Sequence, residues 1–489
     1  MPQLPDARLF IDGQLRDATG GKTFDVISPW TGAPTGKAAD ASAADVEAAI
    51  AAARHAFDES DWATNPALRF ELVSKLYDLF DANRERLSDL ARNEAGAALG
   101  AVGRAHVDMA LDGWKDYLKV FPQVQWEKDY GGREAYGFVS QRKAVYEPVG
   151  VVGAITPWNV PLYVNVGKVV AALLAGCTVI LKPAPNTPGM GAIFGELAAQ
   201  AGFPAGVLNV VFGSDPVLAG EMLVTDPRVD LISFTGSTGV GKRIMEQGAA
   251  TLKRVFLELG GKSAKIVLDD AENFAMECAS AMLVFHAGQG CAVQSRLLVP
   301  KSRYEEAKAV LKHSYANFGE NWGEFDSPGQ VMGPVVSKRQ QERVMSYIQL
   351  GLDEGATLIA GGKARPDKGG GYFIEPTCFA DVTNDMRIAQ EEIFGPVLVV
   401  IPFEDDEDAI RIANASDYGL GGGVSSSNFE RAMQVARRVR TGTMSVNGGM
   451  SIAGDIPFGG YKASGIGREW GVEGIEEYLE TKLIAWRAA

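Results

Sequence analysis

Cysteine and histidine are scarce in this chain of 489 residues. Its four cysteines include no Cys-x-x-Cys pair, and so few thiols in so long a chain do not build a disulfide framework. The four histidines lack the close spacing of a zinc site. We therefore expect reduced thiols and no bound metal.

Positive charge and long apolar runs are also in short supply. The chain has 61 acidic and 47 basic side chains, a net charge of −14 that repels polyphosphates and anionic membranes. Its most apolar stretch, 169–181, is interrupted and too short to span a bilayer. Residues 1–6 lack the basic start and apolar run of a secretory signal. We expect a cytoplasmic protein that binds neither nucleic acid nor membranes.

Glycine, by contrast, is abundant, with 57 residues among 489. The share is well above the usual value of about 7%, which indicates many unusual φ angles or close backbone approaches. With 46% hydrophobic residues, the chain is long enough for two or three well-buried domains.

Hydrophobic periodicity predicts an α/β protein. Short strand-like runs surround Phe10 and Phe24, and helical periodicity follows at 45–57 and 66–92. Strands and helices then alternate, which is typical of βαβ units and parallel sheets. The first series has strands at 149–155, 178–181, 207–212 and 229–234, with helices near 162–175, 188–201 and 215–224 and from 238. The second has strands at 264–268, 296–299, 397–402 and 443–446.

The segment 126–147 alternates polar and bulky residues and interrupts the first series. We expect it to pair as an antiparallel arm with residues 478–487, and exposed arms commonly serve assembly. The predicted division is a first domain of 1–125 and 148–259, a second of 260–463, and an arm with C-terminal segment of 126–147 and 464–489. We expect a homodimer or a homotetramer rather than a monomer.

Cys291 ends the sequence Gly288-Gln289-Gly290-Cys291, after an apolar run at 279–287 that we expect to be helical. A single cysteine is most often a small buried hydrophobe. A reactive cysteine needs an access path, a donor for the developing oxyanion and a base for the next step. The rest of the chain must supply the last two.

Two residues have the right chemistry. Glu258 lies in the apolar stretch Leu257-Glu258-Leu259-Gly260-Gly261, where two glycines suggest a sharp turn and the surroundings should raise the pKa of a carboxyl. That suits a general base, although an ion-paired glutamate at a strand end would fit too. Asn159 follows a predicted strand between two prolines, which could aim its amide at a site or simply make a turn.

Seven motifs occur in the order and spacing of the aldehyde dehydrogenase superfamily, and this resemblance covers nearly the whole chain. The motifs are Pro157-Trp158-Asn159, Leu181-Lys182-Pro183, Phe234-Thr235-Gly236-Ser237-Thr238, Glu258-Leu259-Gly260-Gly261, Gly288-Gln289-Gly290-Cys291, Glu391-Glu392-Ile393-Phe394-Gly395-Pro396 and Pro457-Phe458-Gly459-Gly460-Tyr461-Lys462-x-Ser464-Gly465. The resemblance implies two Rossmann-like open parallel-sheet domains, one for the cofactor and one for catalysis, with a small antiparallel arm.

The resemblance also implies the chemistry. Cys291 would attack the aldehyde, Asn159 with the Cys291 N–H would hold the oxyanion, and Glu258 would activate the water that hydrolyses the thioester. Relatives that transfer the acyl group to coenzyme A typically lack this glutamate, so hydrolysis is favoured. Lys168 and Glu469 resemble a pair that passes the proton onward, although such residues are more often surface charges.

For the cofactor we expect NAD, with NADP possible. Residues 234–241 lie between a strand and a helix, where backbone N–H groups can meet a pyrophosphate. At 185, strongly NAD-specific relatives carry a glutamate that would repel a 2′-phosphate, whereas this chain has proline. The expected cofactor residues are Thr156, Pro157, Trp158, Lys182, Pro185, Gly213, Phe234, Gly236, Ser237, Gly241, Leu259, Glu392 and Phe394.

The expected substrate tunnel is apolar. Several relatives place a tryptophan where Gly167 stands, so we expect a wide tunnel that accepts bulky or aromatic aldehydes. Its residues are Val160, Tyr163, Val164, Gly167, Ile452 and Phe458. Two alternatives stay open: an NADP-preferring semialdehyde dehydrogenase, which a basic cluster in the tunnel would favour, and a catalytically silent binding protein of the same fold.

Overall fold

The computed structural model describes residues 3–320 and 322–488. Within these ranges the strands are β1 Leu9–Ile11, β2 Gln14–Arg16, β3 Thr23–Ile27, β4 Pro34–Ala39, β5 Glu127–Ala135, β6 Phe138–Pro148, β7 Val151–Ile155, β8 Thr178–Lys182, β9 Leu208–Val210, β10 Leu231–Thr235, β11 Arg254–Glu258, β12 Ala264–Val267, β13 Arg296–Pro300, β14 Thr357–Ala360, β15 Thr377–Ala380, β16 Val397–Phe403, β17 Tyr418–Gly419, β18 Gly422–Ser425, β19 Ser445–Val446, β20 Tyr461–Lys462, β21 Gly465–Ile466 and β22 Leu479–Arg487.

The α-helices of the same ranges are α1 Ala43–Glu59, α2 Pro66–Ala82, α3 Arg84–Ala95, α4 Leu99–Val102, α5 Met109–Val120, α6 Pro161–Ala175, α7 Pro188–Ala201, α8 Leu218–Thr225, α9 Thr238–Gly248, α10 Phe274–Ala279, α11 Tyr304–Phe318, α12 Lys338–Asp353, α13 Arg387–Gln390, α14 Asp406–Asn414, α15 Phe429–Arg438 and α16 Gly471–Glu476. A π-helical turn, Gly103–Asp108, joins α4 to α5. The strand and helix alternation expected from the sequence is confirmed.

The first large sheet has the order β2-β1-β9-β8-β7-β10-β11-β21. Its five central strands, β7 to β11, run parallel, while β1 and β21 join antiparallel at the two sides. The central strands are short apolar runs because helices cover both faces of the sheet. Helix α6 is buried on every side, begins at Pro161 and ends at Gly176, whose φ of 103° suits glycine alone.

The second large sheet has the order β14-β15-β16-β13-β12-β18-β19. Its strands run parallel except for β14, which pairs antiparallel with β15. A separate apolar cluster, which contains Leu298, Val399 and Phe379, packs against it. The fold is therefore the expected α/β arrangement of two mainly parallel sheets, each with its own core.

The predicted arm forms a third sheet of the order β22-β6-β5. Strand β22 pairs antiparallel with β6 over nine residues, from Leu479 opposite Pro148 to Arg487 opposite Ser140. The pairing of the chain's end with this arm is confirmed. Several large apolar side chains of the sheet remain exposed, among them Tyr136, Leu483 and Trp486.

One expected element is absent. The apolar run 279–287 does not form an α-helix, because α10 already ends at Ala279, turns follow it, and Phe285–Gly288 is only a short, distorted 3-10 segment. His286 and Ala287 adopt positive φ angles of 44° and 50°. The apolar side chains of this run line a cavity instead of a helix face, so their burial comes from the tertiary fold rather than from helical periodicity.

Candidate active site

A cavity of about 980 Å³ lies between the two large sheets. On one side it receives the segments that follow the carboxyl ends of β7, β10 and β11, which is where open parallel sheets hold ligands. On the other side it receives residues around Cys291, Glu392 and Phe458. Sixteen of the expected site residues line it: Pro157, Trp158, Asn159, Val160, Tyr163, Val164, Gly236, Ser237, Glu258, Leu259, Cys291, Glu392, Phe394, Ile452, Phe458 and Glu469.

Cys291 is half-buried, lines the cavity and lies in an irregular segment before β13. Burial and the nearby Glu258 raise the pKa of its thiol to about 12. The thiol is therefore neutral near pH 7 and must lose its proton in order to attack. The preceding Gln289 anchors this segment, since its side chain accepts from Val336 N at 2.9 Å and donates to His286 O at 3.1 Å.

Asn159 is buried in the same wall of the cavity. Its Nδ2 donates one hydrogen bond to the carbonyl oxygen of Gln289 at 3.0 Å. An amide nitrogen carries two hydrogens, so the second remains for a ligand oxygen. The same bond joins the bend that carries Asn159, between β7 and α6, to the segment that carries Cys291.

Glu258 is the last residue of β11 and is almost completely buried. Neither carboxyl oxygen has a hydrogen-bond partner within the described part of the chain. Burial, together with the nearby Glu469, raises the pKa of Glu258 well above its usual value. A carboxyl group with a raised pKa that is open to a cavity, and has no partner among the described residues, has the properties of a general base in its ionised form.

The two glycines after Glu258 serve close approach rather than a sharp turn, since neither has a positive φ. A β-carbon at Gly260 would lie 2.5 Å from the carboxylate of Glu392, and one at Gly261 would collide with the carbonyl oxygen of Cys291. The motif therefore brings the β11 end directly against the Cys291 segment. The sequence pattern indicated a bend, and the structure corrects that interpretation.

Lys168 and Glu469 are not surface charges. Lys168 Nζ lies 2.7 Å from Glu469 Oε1, and the two side chains are 0% and 5% exposed. Lys168 also donates to Ser233 Oγ at 3.2 Å. Glu469 lines the cavity and Lys168 lies behind it, so the pair forms a buried polar path leading away from Glu258.

The cofactor loop fits a dinucleotide. Ser237 caps α9 by accepting from Val240 N, which leaves the start of that helix facing the cavity. A β-carbon at Gly236 would collide with the Phe234 ring, and one at Gly241 would lie 2.6 Å from Leu259. Glycine at these positions lets Phe234 and Leu259 pack closely against the loop, and Gly236 with Ser237 forms a cradle at the start of α9 where a pyrophosphate group would fit.

Other expected cofactor residues lie beside this cradle without lining the cavity. Lys182 is buried at the end of β8, where its carbonyl oxygen accepts from Thr156 N at 3.1 Å, and its side chain has no hydrogen bond or ion pair to any residue in 3–320 or 322–488. Burial lowers the pKa of Lys182 to about 8. The hydroxyl of Thr156 is buried and unpartnered within the same described ranges. Such orphaned donors are what a bound ribose would satisfy.

Pro185 and Gly213, two further expected cofactor residues, lie near Lys182 and Thr156. Pro185 is half-buried and precedes Asn186, which lines the cavity. Gly213 follows β9, where a β-carbon would lie 2.9 Å from Asp40 Oδ1. Glu392 and Phe394, which were expected to contact the nicotinamide, lie elsewhere in the cavity wall. Glu392 accepts from Gly261 N at 2.9 Å, and Phe394 meets the Trp158 ring edge-on with centroids 5.4 Å apart.

The substrate side of the cavity is apolar. Val160, Tyr163, Val164, Ile452 and Phe458 line it and belong to one apolar cluster with Cys291. Gly167 differs from expectation, because it does not line the cavity. A β-carbon there would lie 3.2 Å from the ring of Trp470, which covers it. The absence of a side chain at 167 therefore does not by itself widen the tunnel.

Part of the cavity wall consists of residues that were not predicted from the sequence. The start of α12 contributes Ser337, Arg339, Gln340 and Arg343, and the loop after α10 contributes Ala281, Met282, Leu283 and Phe285. The capping serine before a charged helix was a usable signal, since it predicts a helix start with free N–H groups. Nothing in the local pattern indicates that this helix reaches the cavity.

Two absences concern the described residues only. In the ranges 3–320 and 322–488, no cluster of three or more His, Cys, Asp or Glu side chains is arranged to hold a metal ion. Every helix of those ranges is too short or too polar to cross a bilayer.

Comparisons with known proteins agree with this site. The model of the aldehyde dehydrogenase family matches residues 15–484. A 3-succinoylsemialdehyde-pyridine dehydrogenase from Pseudomonas sp is 41% identical over 478 residues, covering 97% of each chain. An aldehyde dehydrogenase 1 from Tanacetum cinerariifolium is 39% identical over 482 residues, covering 98% of this chain and 94% of its own.

Solved structures agree as well. The NAD+ complex of an aldehyde dehydrogenase from Mycobacterium tuberculosis superimposes with a TM-score of 0.93 at 39% identity, over 99% of this chain and 98% of its own. The complex of a Pseudomonas syringae aldehyde dehydrogenase C mutant with NAD+ and octanal gives 0.91 at 36% identity, over 98% and 96%. On its motifs, its fold and these matches, this chain belongs to the aldehyde dehydrogenase family.

Proposed function

We propose that this protein oxidises a bulky apolar or aromatic aldehyde to its carboxylic acid, with NAD+ as the hydride acceptor and NADP+ as a possible substitute. The observation that carries the proposal is the convergence of Cys291, Asn159 and Glu258 on one cavity whose substrate side is apolar. These residues come from three distant parts of the chain.

In the first step, the Cys291 thiol passes its proton to solvent water, and the resulting thiolate sulfur adds to the aldehyde carbon. The carbonyl oxygen becomes an oxyanion, which the second Asn159 N–H and the Cys291 backbone N–H would hold. The bond from Asn159 to Gln289 supports this role, because it keeps the amide beside the Cys291 segment. Loss of hydride from the carbon then leaves a thioester on Cys291.

In the second step, Glu258 removes a proton from a water molecule that attacks the thioester and releases the acid. A carboxylate with a raised pKa is a better proton acceptor than an ordinary one, and no partner occupies its oxygens among the described residues. We propose that the Lys168 and Glu469 pair then carries the proton away from the site.

For the cofactor, the nicotinamide would accept the hydride. We propose that the start of α9, with Gly236 and Ser237, holds its pyrophosphate, and that Lys182 and Thr156 satisfy the adenosine ribose. Glu392, Phe394 and Trp158 would hold the nicotinamide ribose and ring. The NAD+ found in related structures supports this choice, and Pro185 leaves room for a 2′-phosphate.

The substrate preference follows from the tunnel. The substrate-side positions Met109, Val160, Tyr163, Ile452 and Phe458 carry no cation. The two arginines of the cavity wall, Arg339 and Arg343, lie on α12, where Arg343 donates to the carbonyl oxygen of Glu392, so an anionic semialdehyde would find no counter-charge on the substrate side. This weakens the alternative of an NADP-preferring semialdehyde dehydrogenase. The presence of all three reactive residues weakens the alternative of a silent binding protein.

The test is an aldehyde panel with both cofactors, followed by absorbance of the reduced nicotinamide. We expect the bicyclic or aromatic aldehydes to have the highest kcat/KM and Cys291→Ala to abolish turnover. A strong preference for acetaldehyde would refute the substrate class. Undiminished activity of Cys291→Ala would refute the nucleophile.

Finally, we propose that residues 126–147 and 464–489 act as an assembly arm for a homodimer or a homotetramer, with 1–125 and 148–259 as the cofactor domain and 260–463 as the catalytic domain. The exposed apolar side chains Tyr136, Leu483 and Trp486 support an assembly role. Mass measurement by light scattering would test it, and a monomer at micromolar concentration would contradict it.

A further inference from the structure

Trp470 occupies an unusual position directly behind the tunnel wall. It is completely buried and precedes α16, and its backbone has a φ of 66°, a left-handed conformation that bulky residues seldom adopt. Glycines at 467 and 471, with φ of 91° and 64°, surround it. A backbone held in such a conformation needs strong support from its surroundings, which here comes from the packing of the indole ring.

The ring of Trp470 fits a slot made by two glycines on neighbouring helices. A β-carbon at Gly113 of α5 would lie 2.7 Å from the ring, and one at Gly167 of α6 would lie 3.2 Å from it. The hydroxyl of Tyr117 links the backbones of Trp470 and Gly167, because it accepts from Trp470 N at 2.9 Å and donates to Gly167 O at 3.1 Å. The slot therefore depends on the absence of side chains at 113 and 167.

On its other side the Trp470 ring supports Tyr163, which lines the tunnel. The two rings are 4.5 Å apart between centroids, and the Tyr117 ring stacks on Trp470 at 4.8 Å. The hydroxyl of Tyr163 and the indole N–H of Trp470 are both buried, and neither has another hydrogen-bond partner within the described residues. These two groups are close enough to interact with each other, so the contact with Trp470 sets the position of the Tyr163 ring.

We propose that Trp470 is a specificity-determining residue that acts through Tyr163: its ring fills the space beside Gly167 and thereby sets the width of the aldehyde tunnel. This inference rests on the proposed function in that the tunnel must carry the aldehyde. Trp470 is a positioning residue, because it does not itself line the cavity.

The test compares a bicyclic aromatic aldehyde with hexanal as the ratio of their kcat/KM values at saturating NAD+. In Trp470→Leu, Tyr163 loses its support, so we expect the ratio to shift towards the bicyclic aldehyde on the order of tenfold, since small volume changes in an apolar pocket have effects of that size. Gly167→Ala should push the ring towards Tyr163 and shift the ratio in the opposite direction. Gly167→Leu added to Trp470→Leu should restore the original ratio.

Trp114→Leu is the matched control, because Trp114 is equally buried on α5 but packs against Phe80 and Phe194. It should reduce stability and leave the ratio within twofold. A ratio that changes less than twofold in both Trp470→Leu and Gly167→Ala would overturn the proposal, and so would an equal change in Trp114→Leu. If Trp470→Leu does not fold, Trp470→Phe and Gly167→Ala carry the same comparison.

Failure of the proposed aldehyde oxidation can be distinguished from failure of the proposed role of Trp470. If the wild type oxidises neither aldehyde, calorimetric binding of both aldehydes to Cys291→Ala, with and without Trp470→Phe, still measures the tunnel. A shift in relative affinity would support the role of Trp470, and unchanged relative affinity would overturn it. A wild type that prefers hexanal refutes the bulky-substrate proposal alone, since the shift caused by Trp470 is measured from any starting ratio.

Discussion

Replacing Glu258 by glutamine should separate the two halves of the reaction. The substitution keeps the size of the side chain and removes only its ability to accept a proton as a carboxylate. Because neither oxygen of Glu258 has a partner among the described residues, no internal hydrogen bond is lost. We therefore expect a folded protein that still forms the thioester on Cys291 but hydrolyses it slowly.

The expected magnitude follows from the role. A positioned general base contributes about 10² to 10⁴ in rate, so steady-state turnover should fall by that factor. Burial and Glu469 raise the pKa of Glu258, so the wild type should lose activity as the pH falls and more of this carboxyl becomes protonated. Glutamine does not titrate, so this part of the pH profile should disappear from the hydrolysis step.

Rapid-mixing absorbance of reduced nicotinamide is the appropriate assay. Glu258→Gln should produce a burst close to one reduced cofactor per site, followed by slow turnover, and mass spectrometry should detect the acyl group on Cys291. Glu94→Gln is the matched control. Glu94 is also buried with a pKa raised to about 8, but it accepts from Gly189 N and Met190 N at the start of α7.

Two results would refute the reasoning. Normal steady-state turnover of Glu258→Gln would remove this residue from hydrolysis. Absence of both burst and turnover in a folded variant would show that Glu258 is needed before hydride transfer. Loss of turnover in Glu94→Gln without loss of stability would show that the assay does not distinguish the site from the rest of the core.

Three further predictions concern the oxyanion, the buried pair and the cofactor. Asn159→Ala should lower kcat by on the order of 10² to 10³ through loss of one oxyanion donor. Lys168→Met should lower the free energy of unfolding by about 3 to 5 kcal/mol, because it leaves the Glu469 charge buried without its partner. Pro185→Glu should raise the KM for NADP+ at least tenfold relative to NAD+, because a carboxylate there would repel a 2′-phosphate.

Each of these has a control within the chain. For Asn159→Ala the control is Asn165→Ala, which removes a buried amide on α6 that donates to Met190 O. This control should change kcat less than threefold. Lys301→Met breaks an exposed ion pair with Glu404 and should leave the melting temperature unchanged. Pro185→Gln adds a similar side chain without charge. Equal effects of a variant and its control would contradict the corresponding prediction.

The sequence predicted the secondary-structure elements well, because they are written in local patterns. Short apolar runs between helical segments predicted β7, β8 and β10, and alternation in 126–147 predicted the arm that β22 completes. The motifs around Cys291, Asn159 and Glu258 pointed to three residues that the fold brings to one cavity, and their catalytic roles stay predictions. These inferences depend on order and spacing along the chain, which the sequence contains.

Contacts between distant segments could not be predicted in this way. Gly260 and Gly261 look like turn residues in the sequence, and only the fold reveals that they make room for Glu392 and Cys291. The apolar run at 279–287 has the composition of a buried helix, yet its side chains line the cavity between the two sheets. In the same way, the absence of a side chain at Gly167 predicted a wider tunnel. In the fold, the ring of Trp470, which lies about 300 residues later in the sequence, fills the space beside Gly167.

The sequence by itself therefore determined the family and the α/β alternation, and it supplied the side chains whose catalytic roles we propose. The tertiary structure decided which apolar groups form the tunnel, that Lys168 and Glu469 are a buried pair, and what fills the space beside Gly167. The physical reason is that chemistry and periodicity belong to single segments. Cavity shape, burial and close packing depend on segments that meet only in the folded chain.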